Sequence, residues 1–272
     1  MKEKFKADYH THSKYSFDGC ESIRVMARAA EAAGLCEIAV TDHCDIDGVL
    51  AGFYPSYDGD AIEKEINEVR SEFDGRLTIL HGIELGQPHT RPAQSRELIE
   101  RYKYDFVIGS LHNMRDMPDF SFLRYDKMGY PLSENYFSRS LCELCELCDF
   151  GGIHTLAHIT YPVRYMREYG MDIDYRKFYD QFELLYKKMI ACGVALEINT
   201  SGLRRAAHAT LPDTELVALY RECGGKLVTV GSDAHIAGDI GAGIEESYET
   251  MKKLGFKSVN VIRGGKLDEI SL

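Results

Sequence analysis

Apolar positions along this chain follow two periods in turn. Short β-rich runs recur as KADYHTH, CEIAVTDH, LTILHGIEL, YDFVIGSLH, GIHTLAHI, GVALEINTS, KLVTVGSDAH and SVNVI, with the length and composition of strands. Between most of them the apolar residues fall at helical spacing. Ser22–Leu35 sets Ile23, Met26, Ala30 and Ala33 at that spacing and meets Gly34 at its end. Asp60–Gly75, Tyr175–Gly193 and the segments TELVALYRECGG and IEESYETMKKLG read the same way.

Strand–helix alternation over the whole chain predicts a parallel sheet with helical crossovers. No linker, repeat or low-complexity segment breaks it, so the expectation is a single domain over residues 1–272. Seven to eight β-units suit a closed or nearly closed α/β barrel better than an open sheet.

Bulk composition narrows the function. The 272 residues are 44% hydrophobic and 28% charged, an ordinary globular balance with material for a sizeable core. Formal charge is −11, from 43 acidic and 32 basic residues. That argues against nucleic-acid or anionic-membrane partners, which need a basic face. The N-terminal MKEKFKADYH is too charged for a signal peptide. No apolar run approaches the roughly 18 residues of a membrane span. Eight cysteines then read as reduced thiols of a cytoplasmic protein.

The chemistry lies at the carboxyl ends of the β-runs. The first ends in His10 and His12, the second in Asp42 and His43, the third in Glu84. The fourth ends in His112, the fifth in His158, the seventh in Asp233 and His235. In parallel α/β barrels the active site is built on that face. Residues i and i+2 of a strand point the same way, so His10 pairs with His12 and Asp233 with His235. Imidazole nitrogen with carboxylate oxygen suits zinc, iron or manganese. With Asp18 of SFDG the candidate ligands are His10, His12, Asp18, His43, Glu84, His112, His158, Asp233 and His235. Nine ligands exceed one ion, so two to three divalent ions sharing ligands are expected. Asp42 is set aside as a cap of its loop.

YHTHSKYSFDG, AVTDH, GIELG, GSLH, AHITYPVR and VGSDAH together resemble the successive motifs of the PHP (polymerase and histidinol phosphatase) family. They occur in order from Asp8 to His235. The chain length and the segments LHGIELGQPH, DFVIGSLHNM and EINTSGLRR look most like the family's stand-alone histidinol-phosphate phosphatases of histidine biosynthesis. The resemblance implies a distorted (β/α)7 barrel with a trinuclear site, which makes SVNVI an extra strand or a misread one. By motif, one metal takes His10, His12, Glu84 and Asp233. A second shares Glu84 and takes His112 and His158. A third takes Asp18, His43 and His235. Some relatives have histidine where this chain has Asp18.

Arg164 follows His158 by six residues, and Arg204 and Arg205 lie just past the sixth β-run. A planar guanidinium grips phosphate oxygens bidentately. The family pattern supports Arg164 and Arg204 as the phosphate pair, with Arg205 as rival to Arg204. The expected reaction is hydrolysis of a small phosphomonoester, L-histidinol phosphate, by a metal-activated hydroxide attacking phosphorus. No general acid is identified; Asp233 and His235 lie nearest the expected nucleophile.

Other readings are weaker. Another ester, a nucleotide or sugar phosphate, keeps the metal chemistry. An amidohydrolase usually needs a carboxylated lysine ending the fourth strand, where this chain has His112. A non-enzymatic metal-binding module does not account for phosphate-ready arginines. Cys142, Cys145 and Cys148 at three-residue spacing would spread over about 120° of a helix, so they read as helix packing. His81, His89, His154 and His208 fall outside the motifs, with His89 and His208 in loops near the mouth.

Overall fold

The computed structural model describes residues 5–272; the first four residues of the charged N-terminus lie outside it. Seven parallel staves form the barrel: β1 (Ala7–Thr11), β2 (Glu37–Val40) continued by the short β3 (His43–Asp45), β4 (Thr78–Gly86), β5 (Phe106–Ser110), β6 (Thr155–Leu156), β7 (Ala195–Asn199) and β8 (Val228–Gly231). The barrel closes where β8 returns to β1. Asp233 donates its backbone N–H to His10, and His12 donates to Ala234, both at 2.8 Å. Gly231 is required at this seam, because a Cβ there would lie 2.3 Å from the His10 Cβ.

Helices wrap the outside. α1 (Ile23–Ala32) starts at Ser22, whose hydroxyl caps the Val25 N–H, and buries Ile23, Met26, Ala27 and Ala30. α2 (Ile46–Ala51) is a short turn after β3. α3 (Gly59–Glu72) is capped by Asp58 and lays Ile62, Ile66 and Val69 against the same core as α1. α4 (Pro92–Tyr102) follows β4. α5 (Tyr125–Phe150) breaks at Gly129 and then runs unbroken, with Cys148 buried, Cys145 half-buried and Cys142 exposed. α6 (Tyr161–Glu168), α7 (Tyr179–Cys192), α8 (Thr214–Glu222) and α9 (Ile244–Lys253) complete the ring. The expected helix from Tyr175 opens instead as a 3₁₀ turn, Tyr175–Phe178, before α7.

SVNVI is a strand, but not a barrel stave. β9 (Ser258–Arg263) pairs antiparallel with β10 (Lys266–Ser271) in a separate two-stranded sheet. Gly264 and Gly265, both at positive φ, make the two-residue turn. The hairpin packs Val261 and Ile262 under the barrel against Ala7, Tyr9, Phe106 and Ile108. Ile262 donates its N–H to the Tyr9 hydroxyl at 2.9 Å, and Arg263 reaches Glu37. The amino-terminal mouth is thereby sealed, which leaves the carboxyl-terminal mouth for chemistry. No helix of the described residues is long and apolar enough to cross a membrane.

Candidate metal centre

The nine sequence-selected ligands converge at the open mouth. None is the last residue of its strand: His10 lies inside β1 and His12 just past it. Glu84 lies inside the long β4, His43 opens β3, and His112 and His158 stand two residues beyond β5 and β6. Asp233 and His235 follow β8 rather than extending it, and Asp233 turns through a left-handed backbone at φ 54°. His158 is also left-handed, at φ 26°. Such strained conformations persist where the surrounding structure imposes them, and they cluster at functional sites.

Glu84 sits at the centre, fully buried. Its Oε2 lies 3.2 Å from His10 Nε2, 3.4 Å from His12 Nε2 and 2.8 Å from His43 Nδ1. Its Oε1 lies 3.1 Å from His112 Nε2 and 2.9 Å from His158 Nε2. Asp233 Oδ1 approaches His12 Nε2 at 3.3 Å and His10 Nε2 at 3.8 Å. Asp18, on the loop after β1, meets His235 Nε2 at 3.2 Å and His43 Nε2 at 3.7 Å. Three triads have ligand atoms within 4.8 Å of one another: His10–His12–Asp233, His10–Glu84–His158 and His12–His43–His235.

Glu84 Oε1 hydrogen-bonds the His112 and His158 rings, but the atoms around its Oε2 face one another without bonding one another. His10 Nε2, His12 Nε2, His43 Nδ1, Glu84 Oε2 and His235 Nε2 are buried and lack a hydrogen-bond partner. Buried polar groups left so are costly. A set of imidazole and carboxylate donors aimed at shared points is the chemistry of a zinc-type site, so these residues fit divalent ions. The electrostatics agree. Burial alone would raise Glu84, yet His10, His43 and His112 hold its carboxyl well below the usual range. Asp233 is held low in the same way, chiefly by His10 and His12. Burial opposes a charge on His43, but Glu84 and Asp18 raise it to about 9. His12, buried beside His235 and His43, is pushed well below its ordinary value.

Sequence reasoning missed the residues that orient the ligands. Glu197 of β7 is fully buried; its Oε1 takes His10 Nδ1 at 2.6 Å and its Oε2 accepts the His158 N–H at 3.0 Å. Asp45 Oδ1 takes His112 Nδ1 at 2.7 Å. Asp45 also forms a triad with His43 and His112, but that hydrogen bond makes it an orienting group for His112. Gln87 donates to Asp45 and accepts the His112 N–H at 2.7 Å. Ser16 Oγ lies 3.1 Å from His12 Nδ1 and is itself held by Asp42 at 2.8 Å. Asp42 also accepts the Ser13 N–H and hydroxyl, so it fastens the loop, as a cap should. The available signal was a carboxylate at a buried strand position, as in ALEIN; its partner, 187 residues away, was not visible.

Both arginines overhang the cluster. A cavity of about 190 Å³ is lined by His43, His112, His158, Arg164, Arg204 and Asp233, among others. Arg164 lies against Tyr161 and Tyr165, with Nη1 4.0 Å from Asp233 and a buried Nε without a partner. Arg204 is anchored by Nη2 to the Ser232 carbonyl at 2.7 Å and by Nε to Asp239 at 3.2 Å, and its Nη1 is likewise unpartnered. Arg205 borders the same cavity but is exposed. Of the remaining histidines, His89 meets Glu143 at 3.3 Å, His81 packs on Tyr104 outside the barrel, and His154 accepts the Val107 N–H. His208 lines a different cavity, beside α8 and α9.

Comparison with known proteins shows what the chain as a whole is similar to. The chain is 29% identical to the histidinol-phosphatase of Lactococcus lactis over 97% of each chain. It is 28% identical to a Clostridium acetobutylicum protein named "Probable histidinol-phosphatase", over 93% of this chain and 95% of the other. The fold superposes on the crystal structure of the Lactococcus lactis histidinol phosphate phosphatase complexed with zinc, L-histidinol and phosphate. The TM-score is 0.82 at 26% identity, covering 97% of this chain and 98% of that one. The PHP domain model matches residues 8–201, which carry seven of the nine converging ligands, and on that match the chain belongs to the PHP domain family.

Proposed function

We propose that this chain is a histidinol-phosphatase, hydrolysing L-histidinol phosphate to L-histidinol and phosphate in histidine biosynthesis. One observation carries the reading: two guanidinium groups with unpartnered buried nitrogens overhang a cluster of imidazoles and carboxylates with unpartnered ligand atoms. Anion-binding and cation-binding groups therefore face the same small cavity, as a phosphoester held over metal ions requires.

His10, His12, Glu84 and Asp233 would hold one ion. Glu84, His112 and His158 would hold a second, and Asp18, His43 and His235 a third. Zinc fits this donor set, as do iron and manganese. Divalent ions in such a site supply Lewis acidity and ionised water near neutral pH. The chain's own groups do the rest. Arg164 and Arg204 hold non-bridging phosphate oxygens and offset their developing charge. The tyrosines beneath Arg164 keep its guanidinium from swinging away; Tyr161 and Tyr165 are themselves joined hydroxyl to hydroxyl at 2.8 Å. Glu197 and Asp45 fix the rings of His10 and His112, so the cluster is set before substrate arrives.

The reading carries with it a cytoplasmic enzyme acting on a small ester, with neither nucleic acid nor membrane as partner. The formal charge of −11 supports that. The test is phosphate release by zinc-loaded protein from L-histidinol phosphate beside a panel of nucleotide and sugar phosphates. Strong preference for L-histidinol phosphate is expected. Preference for another ester would move the substrate, and no release from any ester would overturn the phosphatase reading.

A further inference from the structure

A second, larger cavity of about 620 Å³ lies between the β3–α2 segment and the loop after β5, and its wall residue Asn113 is next in the chain to His112 of the metal mouth. Its rim leaves Phe53 83% and Phe122 69% exposed, a large apolar surface to keep in water. A ladder of rings joins it to the metal cluster. Tyr54, on the cavity wall, stacks on Phe17 at 4.5 Å, and Phe17 stacks on His43 at 5.0 Å.

Asp119 lines this cavity, and the next residue, Phe120, ties its loop to the metal mouth by donating its N–H to the His112 carbonyl at 2.8 Å. Asp119 accepts the Ser121 N–H at 2.7 Å and, among the described residues, pairs with no lysine or arginine. Burial pushes its carboxyl above the usual value. The neighbouring Asp47 is in a different state. Its oxygens already take Asn113, Gln87 and the Gly48 N–H at 3.0 to 3.2 Å. Arg91, a cation on the wall, donates instead to the Thr90 carbonyl.

We infer that this cavity receives the organic half of the substrate, a planar ring with a cationic amine, and that Asp119 is the counter-ion for the cation. The inference rests on the phosphatase reading and extends it to specificity. Phosphate sits under Arg164 and Arg204. The leaving group extends past His112, its ring against the exposed aromatic rim and its cation at Asp119. An ester without a cation gains nothing from Asp119 and is discriminated against.

The test is steady-state kinetics of the zinc-loaded protein with L-histidinol phosphate and with phenyl phosphate, which has a ring but no cation. Asp119→Asn keeps an oxygen for the Ser121 N–H, so the loop is preserved. It should raise KM for L-histidinol phosphate by about tenfold or more and change that for phenyl phosphate less than about twofold. L-Histidinol alone should inhibit phenyl phosphate hydrolysis by the unmodified protein and fail to inhibit Asp119→Asn. Phe122→Ala, at an exposed position, should raise KM for both esters. Equal losses with both esters in Asp119→Asn, or unchanged inhibition by L-histidinol, would overturn the inference while leaving the phosphatase reading intact. Failure of the unmodified protein to cleave either ester would overturn both.

Discussion

Glu197 and His10 are joined across the barrel by a 2.6 Å hydrogen bond, from the His10 Nδ1 on β1 to the Glu197 Oε1 on β7. The bond fixes which nitrogen of His10 is free, leaving Nε2 turned toward Glu84 and Asp233. The other Glu197 oxygen holds the backbone of His158 in its left-handed turn. One carboxylate thus sets ligands on two staves.

Glu197→Gln should therefore weaken metal binding although Glu197 is not assigned as a ligand. Loss of such an orienting partner typically costs about 10- to 100-fold in affinity. Zinc titration against a competing chelator checks this, with circular dichroism confirming the fold. Unchanged zinc affinity would remove Glu197 from the site.

His43→Ala should empty chiefly the position shared by Asp18, His43 and His235. Elemental analysis of the purified variant is expected to show about one ion fewer per chain than the unmodified protein. Retention of the full complement would sink that assignment.

Arg164→Ala should separate substrate binding from metal binding. KM for a phosphomonoester is expected to rise by about tenfold or more while metal content stays constant. Unchanged kinetics would mean that Arg164 does not hold phosphate.

His81 gives the fold a pH dependence independent of the cluster. Burial, with a contribution from Arg70, depresses its imidazole to about 4. The unfolded chain takes up that proton near pH 6.5, while the native state resists it until about pH 4. Above pH 6.5 both states are neutral and His81 contributes nothing to the dependence. As pH falls from about 6.5 to 4, the native state loses up to about 3 kcal/mol relative to the unfolded chain. His81→Leu should flatten that part of the denaturation midpoint plotted against pH, measured in chelator. An unchanged slope would refute it.

Much of this protein was legible in one dimension. The alternation of periods implied parallel strands with crossovers, and the placement of His10, His12, Glu84, His112, His158, Asp233 and His235 near strand ends implied a shared mouth. A parallel barrel directs every strand's carboxyl end to one face, so the positions of these residues along the chain already encode their convergence. The family motifs added a grouping of ligands; the structure brings together His10, His12 and Asp233 of the first group, and otherwise sets His10 with Glu84 and His158, and His12 with His43 and His235.

Tertiary structure decided what depends on distant pairing. Whether SVNVI joins the barrel turns on closure between β1 and β8, a seam tight enough to demand Gly231; once it closes, β9 has only β10 to pair with. Glu197, Asp45 and Ser16 carry no periodic signal, because a buried polar side chain is defined by the partner that satisfies it. Asp119 is the converse case. Its meaning lies in the partner it lacks, and only the packed loops around it show that, among the described residues, no lysine or arginine pairs with it.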